Sequence, residues 1–149
     1  MIDQLPLAQQ LKCVLASFYV MYTKTKGFHW NIEGTDFPQL HELFDDIASD
    51  IYDSIDPTAE YIRTLDQYAI TSVEKMKQLS LIADNQPQAV QSARSMVEEL
   101  ATDNERIKTI LKDVIDCATR DREHAIANFL TDRLGQHGKW LWQLKATLK

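Results

Sequence analysis

Apolar side chains recur at steps of three or four residues along four long stretches of the chain, and this spacing predicts four amphipathic α-helices. The first stretch continues to His29, and its apolar positions are Leu7, Leu11, Leu15, Phe18 and Tyr22. We expect Gly34 to end this helix, and the apolar positions of the second are Leu40, Phe44, Ile47, Ile51, Ile55 and Ile62. The third stretch runs from about residue 87 to residue 114, and the fourth from about residue 121 to residue 148.

The residues between these stretches indicate where the helices begin and how they connect. Thr35 or Asp36 can cap the second helix, and Pro38 suits its first turn. The long link that follows contains Thr71-Ser72-Val73-Glu74, which is typical of a cap and a short helix ending near Leu79. Four long helices with one long crossover predict an all-α, ferritin-like four-helix bundle with a short extra helix between the second and third helices. We expect a single domain over residues 1–149.

Composition and charge narrow the class of protein. Hydrophobic residues make up 44% of the chain and charged residues 26%, as in ordinary soluble proteins. No apolar run reaches about 18 residues and MIDQLPLAQQL lacks a signal-peptide pattern, so we expect a cytoplasmic protein that does not span a membrane. The net charge of −6 disfavours nucleic-acid binding through bulk charge and favours a protein that handles cations.

The second helix carries four side chains that commonly bind metal ions: His41, Asp45, Asp56 and Glu60. They form two pairs, His41/Asp45 and Asp56/Glu60. The two members of each pair are four residues apart, so their side chains can point at one spot. Imidazole together with carboxylates is a ligand set for iron, manganese or zinc. A solvated helix face is the alternative for either pair taken alone.

The spacing of these residues predicts a site shared between two copies of the chain. Asp45 and Asp56 lie within about 20° of each other around the helix but about 16 Å apart along it, so they cannot bind the same ion. Positions 45 and 56 have the midpoint 50.5, as do positions 41 and 60. An antiparallel second copy would therefore bring His41 opposite Glu60 and Asp45 opposite Asp56, forming two equivalent sites about 22 Å apart.

Two further observations bear on this prediction. Pro57 removes one helical hydrogen bond, so a break in which Asp56 caps a new helix is the alternative to a continuous helix. A di-iron site within one bundle uses Glu-x-x-His, but no glutamate here precedes a histidine by three residues. The nearest approach is Asp121-x-x-His124, which helix capping explains better. The absence of this motif favours a site at a subunit interface.

With these residues in place, the chain resembles the Dps family, the mini-ferritins or DNA-binding proteins from starved cells. The resemblance spans nearly the whole length. Its most specific stretches are FHWNIEGTDFPQLHELFDDI and DPTAEYIRTL, with support from FLTDRL and the region of Trp142.

The resemblance implies a hollow dodecamer with ferroxidase sites at its two-fold interfaces. His29, His41 and Asp45 would come from one subunit and Asp56 and Glu60 from its neighbour. Family members oxidise Fe(II), usually with hydrogen peroxide, and store the Fe(III) mineral inside the shell, which protects the cell and its DNA from oxidative damage. Zinc can substitute for iron at such ligands.

The resemblance also suggests a role for each site residue. Glu60 is the candidate bridging carboxylate and Asp56 the ligand of one iron ion. Asp45 would bind a second, weaker iron ion or orient His29 or His41. Trp30 would lie beside the site, either as a sink for stray oxidising equivalents or as an interface packing residue.

Two acidic regions bear on how iron would enter the shell and be stored there. A stripe beside the ligands would line the cavity and nucleate mineral, or would simply be solvated; its members are Glu42, Asp46, Asp50 and Asp53. The three-fold pores of the family are often acidic near the start of the fourth helix. Here Asp121 and Glu123 fit that pattern, whereas Arg122, His124 and Asn128 depart from it.

DNA binding is the family's other activity, and this chain lacks the usual basic extensions. No lysine or arginine precedes Lys12, and the last eleven residues hold only Lys139, Lys145 and Lys149. We therefore expect weak or absent DNA binding, against the alternative of a nucleoid-associated protein whose main role is DNA compaction. A third alternative is a plain interaction bundle with His29 and His41 in its core.

Overall fold

A computed structural model describes residues 2–84 and 91–149 of the chain. After a 3₁₀ turn at Ile2–Gln4, the helices are α1 (Leu7–Asn31), α2 (Phe37–Thr64), α3 (Val73–Leu79), α4 (Ala93–Arg120) and α5 (His124–Thr147). These ranges contain no β-strand, and α3 lies in the crossover between α2 and α4. The predicted all-α bundle with a short helix in its long crossover is confirmed.

The bundle consists of two helical hairpins that bury one apolar core. α1 packs along α2, and α4 packs along α5, as expected for helices joined by short turns. Their facing stripes hold large side chains that are fully buried, among them Phe18, Phe44, Ile51, Leu100 and Leu111. Burial of these stripes stabilises the bundle, because helix propensity alone contributes little.

α2 continues through Pro57 without a break. Proline lacks the N–H that would bond to residue 53, and two buried hydroxyl groups beside it donate to main-chain oxygens of the same helix. Thr58 Oγ1 donates to the oxygen of Ser54 at 2.7 Å, and Ser54 Oγ donates to that of Ile51 at 2.6 Å. Asp56 is thus an interior residue of α2 and not the cap of a new helix.

Several predicted helix ends differ from the observed ones. α1 ends at Asn31 and not at Gly34, because Ile32 is already extended while its N–H still bonds to Phe28 at 2.9 Å. Gly34 instead forms the turn, where its φ of +120° is one that favours glycine. α5 begins at His124, three residues later than expected. The expected start of the third helix at residue 87 lies outside the described residues.

The crossover is attached to the bundle by polar contacts. Ser72 caps α3 as predicted, accepting from the N–H of Lys75 at 3.3 Å. The N–H of Leu81 donates to Ser17 Oγ on α1 at 2.9 Å, and Arg106 Nε on α4 donates to the oxygen of Leu81. Within the part of the chain that the structure describes, no helix is long and apolar enough to cross a membrane.

Candidate metal centre

A pair of stacked histidines lies where α1 gives way to α2. Nδ1 of His29 is 2.7 Å from the main-chain oxygen of His41, and Nδ1 of His41 is 2.7 Å from that of His29. Because a carbonyl oxygen only accepts hydrogen bonds, both Nδ1 atoms donate. Each neutral ring therefore keeps the lone pair of Nε2, the atom that is then free to bind a metal ion.

The two rings are held in place by each other as well as by the main chain. Their centroids are 3.8 Å apart, and their planes differ by 17°. Both residues are only half-buried, whereas the histidine in the core of the bundle is His137. This placement disfavours the interpretation of His29 and His41 as ordinary core residues.

Asp45 lies one turn after His41, next to the histidine pair. Its Oδ1 is 3.9 Å from Nε2 of His29 and forms an ion pair with Lys26 Nζ. The hydrogen bond from Lys26 lowers the pKa of the Asp45 carboxyl below its usual range. Lys26 was not among the predicted site residues, and its only signal in the sequence is its position one turn before His29 on the same helix face. A cation that binds Asp45 must compete with this ammonium group.

Asp56 and Glu60 occupy the other end of α2, and both are exposed. The hydrogen bond with Asp56, together with its negative charge, raises the pKa of the Glu60 carboxyl. Two carboxyl groups in contact repel each other when both are ionised. A cation held between them would relieve that repulsion, so this pair is suited to bind a metal ion.

The chain does not bring the histidines and the second carboxylate pair together. Among residues 2–84 and 91–149, no three His, Cys, Asp or Glu side chains form a group that could hold a metal ion. The candidate ligands of α2 instead follow one stripe, which we call the ligand stripe: His41, Asp45, Ser49, Tyr52, Asp56 and Glu60. Its two central members, Ser49 and Tyr52, are exposed, and Tyr52 is 59% exposed.

The remaining candidates are placed as follows. Trp30, next to His29, is 67% exposed, so its indole is available to a partner surface. Three of the four acidic residues beside the ligand stripe are exposed as expected: Glu42, Asp46 and Asp53. Asp121 is exposed and Glu123 half-buried at the α4–α5 turn, with Arg122, His124 and Asn128 exposed beside them.

Asp50 was predicted either to line the cavity or to be solvated. Its side chain instead points toward α5. Its two carboxylate oxygens accept from the guanidinium of Arg133 at 2.8 Å each, and Oδ2 also accepts from Trp140 Nε1 at 2.8 Å. Arg133 in turn donates to Nε2 of the buried His137 at 3.1 Å. The sequence carries no local signal for this network, since its members are about 85 residues apart and meet only in the folded bundle.

Comparison with known proteins gives the family. Residues 8–149 match the ferritin-like domain, so the chain belongs to the ferritin-like family.

Within that family the chain is similar to Dps proteins, which confirms the resemblance seen in the sequence. It matches the Dps protein of Vibrio cholerae O1, described as a member of a broad superfamily of ferritin-like diiron-carboxylate proteins, with a TM-score of 0.90 and 29% identity over 96% of this chain and 89% of that one. The Dps protein of Bacillus brevis matches with a TM-score of 0.92 and 28% identity, over 99% and 97% of the two chains. The DNA protection during starvation protein of Helicobacter pylori is 25% identical over 93% of this chain and 95% of its own length.

Proposed function

We propose that this chain is a subunit of an iron-storing ferroxidase, in which each site combines His29, His41 and Asp45 of one copy with Asp56 and Glu60 of a second copy. The observation that carries the proposal is the arrangement of α2. Two histidines with available Nε2 atoms lie at one end of the ligand stripe, and a pair of contacting carboxyl groups lies at the other. Both halves are incomplete alone, and an antiparallel copy of the same helix completes each of them.

Three features of the fold support the pairing. α2 is continuous through Pro57, so the register between the two ends of the ligand stripe is that of one helix. The centre of the stripe is exposed and includes an aromatic ring, Tyr52, of a type enriched in interfaces. Positions 49 and 52 share the midpoint 50.5 of the ligand pairs, so Ser49 of one copy would lie opposite Tyr52 of the other. In keeping with the Dps relatives, we propose that such pairs assemble into a hollow dodecamer.

Iron is the substrate and the cargo of this site. Two Fe(II) ions each lose one electron, the O–O bond of hydrogen peroxide breaks, and two protons complete two water molecules. The carboxylate ligands favour the ferric state, because their negative charge stabilises the higher oxidation state relative to the aquo ion. Glu60 would hold both ions, Asp56 would bind one of them, and Asp45 would bind the second in place of Lys26. The Fe(III) product passes to the acidic inner surface for storage.

Stopped-flow oxidation of Fe(II), with hydrogen peroxide and with oxygen, tests the assignment. We expect the His29→Ala/His41→Ala variant to lose most of the rate measured for the wild type with hydrogen peroxide. Lys75→Ala is the control, since Lys75 is exposed and lies on α3, outside both the ligand stripe and the predicted pore region. An unchanged rate in the double variant would refute the histidine assignment, and a monomer by light scattering would refute the shared site.

DNA compaction is the second candidate function, because relatives of this chain are named for DNA protection. The net charge of −6 disfavours it, since phosphate binding requires clustered cations. We expect no shift of duplex DNA in a gel at about 0.1 M salt. Tight, pH-independent compaction under those conditions would make DNA binding the main activity.

A further inference from the structure

The His41 ring lies between two other rings. On one face is His29, with centroids 3.8 Å apart, and on the other is Phe37, with centroids 4.9 Å apart and planes inclined by 24°. Two rings cannot stack on the same face at these separations, so His41 is enclosed from both sides. Phe37 precedes His41 by one helical turn, the spacing at which side chains of a helix meet.

Phe37 is itself fixed by the turn that joins α1 and α2. Its N–H donates to the oxygen of Gly34 at 3.2 Å, and it is the first residue of α2. Its side chain is 41% exposed, so the bundle core does not account for its position. The ring instead stacks on His41, whose Nδ1 is already committed to the main chain of His29.

The hydrogen bond alone leaves the imidazole plane free to rock about that contact. A planar ring on each face removes this freedom, because tilting His41 would drive it into His29 or Phe37. A ligand held in one orientation loses less entropy when it binds a metal ion, so binding is tighter than with a mobile ring.

We propose that Phe37 is a positioning residue for the metal site: it stacks on His41 and holds that ligand's ring in its metal-binding orientation. This inference rests on the proposed function, because it assumes that His41 binds a metal ion. The role requires a flat ring at position 37 and not merely an apolar side chain. This role therefore predicts different results for two substitutions at position 37. Tyrosine can stack on His41, whereas leucine fills similar space without a planar face.

Titration of the assembled protein with Co(II), followed by its visible absorption spectrum, tests this role. We expect Phe37→Leu to bind Co(II) about twofold to tenfold more weakly, the range that one aromatic stacking contact contributes. Its Co(II) spectrum should also change, since the ligand geometry is altered. Phe37→Tyr should retain the wild-type affinity and spectrum. Tyr68→Leu, at an 81% exposed aromatic position in the crossover, is the matched control and should change neither.

Wild-type affinity and spectrum in Phe37→Leu would overturn the inference while leaving the proposed function intact. If Phe37→Leu does not assemble by light scattering, Phe37→Met replaces it in the same comparison. Failure of both variants to assemble would assign Phe37 to an interface and overturn the positioning role. Absence of both Co(II) binding and Fe(II) oxidation in the wild type would instead contradict the proposed function itself.

Discussion

Two main-chain oxygens determine which nitrogen of each site histidine is available. Because His29 and His41 each donate from Nδ1 to the other's carbonyl, the turn between α1 and α2 fixes both tautomers. The resemblance to the Dps family placed these two residues at one site, but it could not predict the tautomers. They depend on where Gly34 reverses the chain.

At the same scale, Lys26 is expected to weaken metal binding at Asp45. Replacing it by methionine removes the ammonium group, so the pKa of Asp45 should rise toward its usual value and the carboxylate becomes available. We expect the weaker metal-binding step to tighten by up to about fivefold, since a partly exposed ion pair of this kind contributes ~0.2–1 kcal/mol. Calorimetric titration with Co(II) measures it. Lys26→Arg keeps a cation there and should resemble the wild type; weaker binding in Lys26→Met would contradict the account.

His137 makes stability depend on pH. Burial, followed by the charge of Arg133, lowers its pKa to about 3, well below the usual value of 6.5. The unfolded chain therefore takes up a proton near pH 6.5 that the folded chain takes up only near pH 3, so stability is lost as the pH falls through this window. The loss is at most about 1.4 kcal/mol per pH unit.

Calorimetric melting temperatures between pH 7 and pH 4 check this expectation. His137→Gln preserves a donor and an acceptor for Asn104 and Arg133 but does not titrate, so its melting temperature should fall less steeply than that of the wild type. Equal slopes would show that His137 does not carry the pH dependence.

At the scale of elements, the apolar spacing predicted the helices, but their ends depended on backbone states that it does not encode. α4 ends in a Schellman motif, with Glu123 N–H bonded to Ala118 at 2.8 Å and Arg122 N–H to Thr119 at 3.0 Å. Arg122 has a φ of 63°, a state usually occupied by glycine, so an arginine at this position did not indicate it. This motif delays the start of α5.

The same motif predicts a stabilising substitution. Arg122→Gly relieves the left-handed strain and should raise the free energy of unfolding by about 0.5–1 kcal/mol, net of the greater freedom of glycine in the unfolded chain. Arg120→Gly, two residues earlier in the last turn of α4, should instead lower it by up to ~1 kcal/mol. Denaturant unfolding followed by circular dichroism compares the two. Destabilisation by Arg122→Gly would mean that contacts of the arginine side chain contribute more to stability than its left-handed backbone costs.

At the scale of the whole molecule, sequence reasoning identified candidate ligands because helical spacing converts directly into position along a rigid rod. It missed Lys26 and the inward turn of Asp50 toward Arg133, since neither follows from the periodicity of one helix. The pairing of two copies through the ligand stripe was predicted from the symmetry of the ligand spacing, and the proposed shared site depends on it.

Mixing two inactive variants tests whether two copies share each site. One carries His29→Ala/His41→Ala and the other Asp56→Asn/Glu60→Gln, so each leaves every shared site incomplete. If copies pair at random after joint reassembly, half of the pairs are mixed and each mixed pair has one intact site, so about a quarter of the wild-type sites return. We predict that Fe(II) oxidation with hydrogen peroxide recovers to about a quarter of the wild-type rate. A mixture no more active than the two variants measured separately would contradict a site shared between copies.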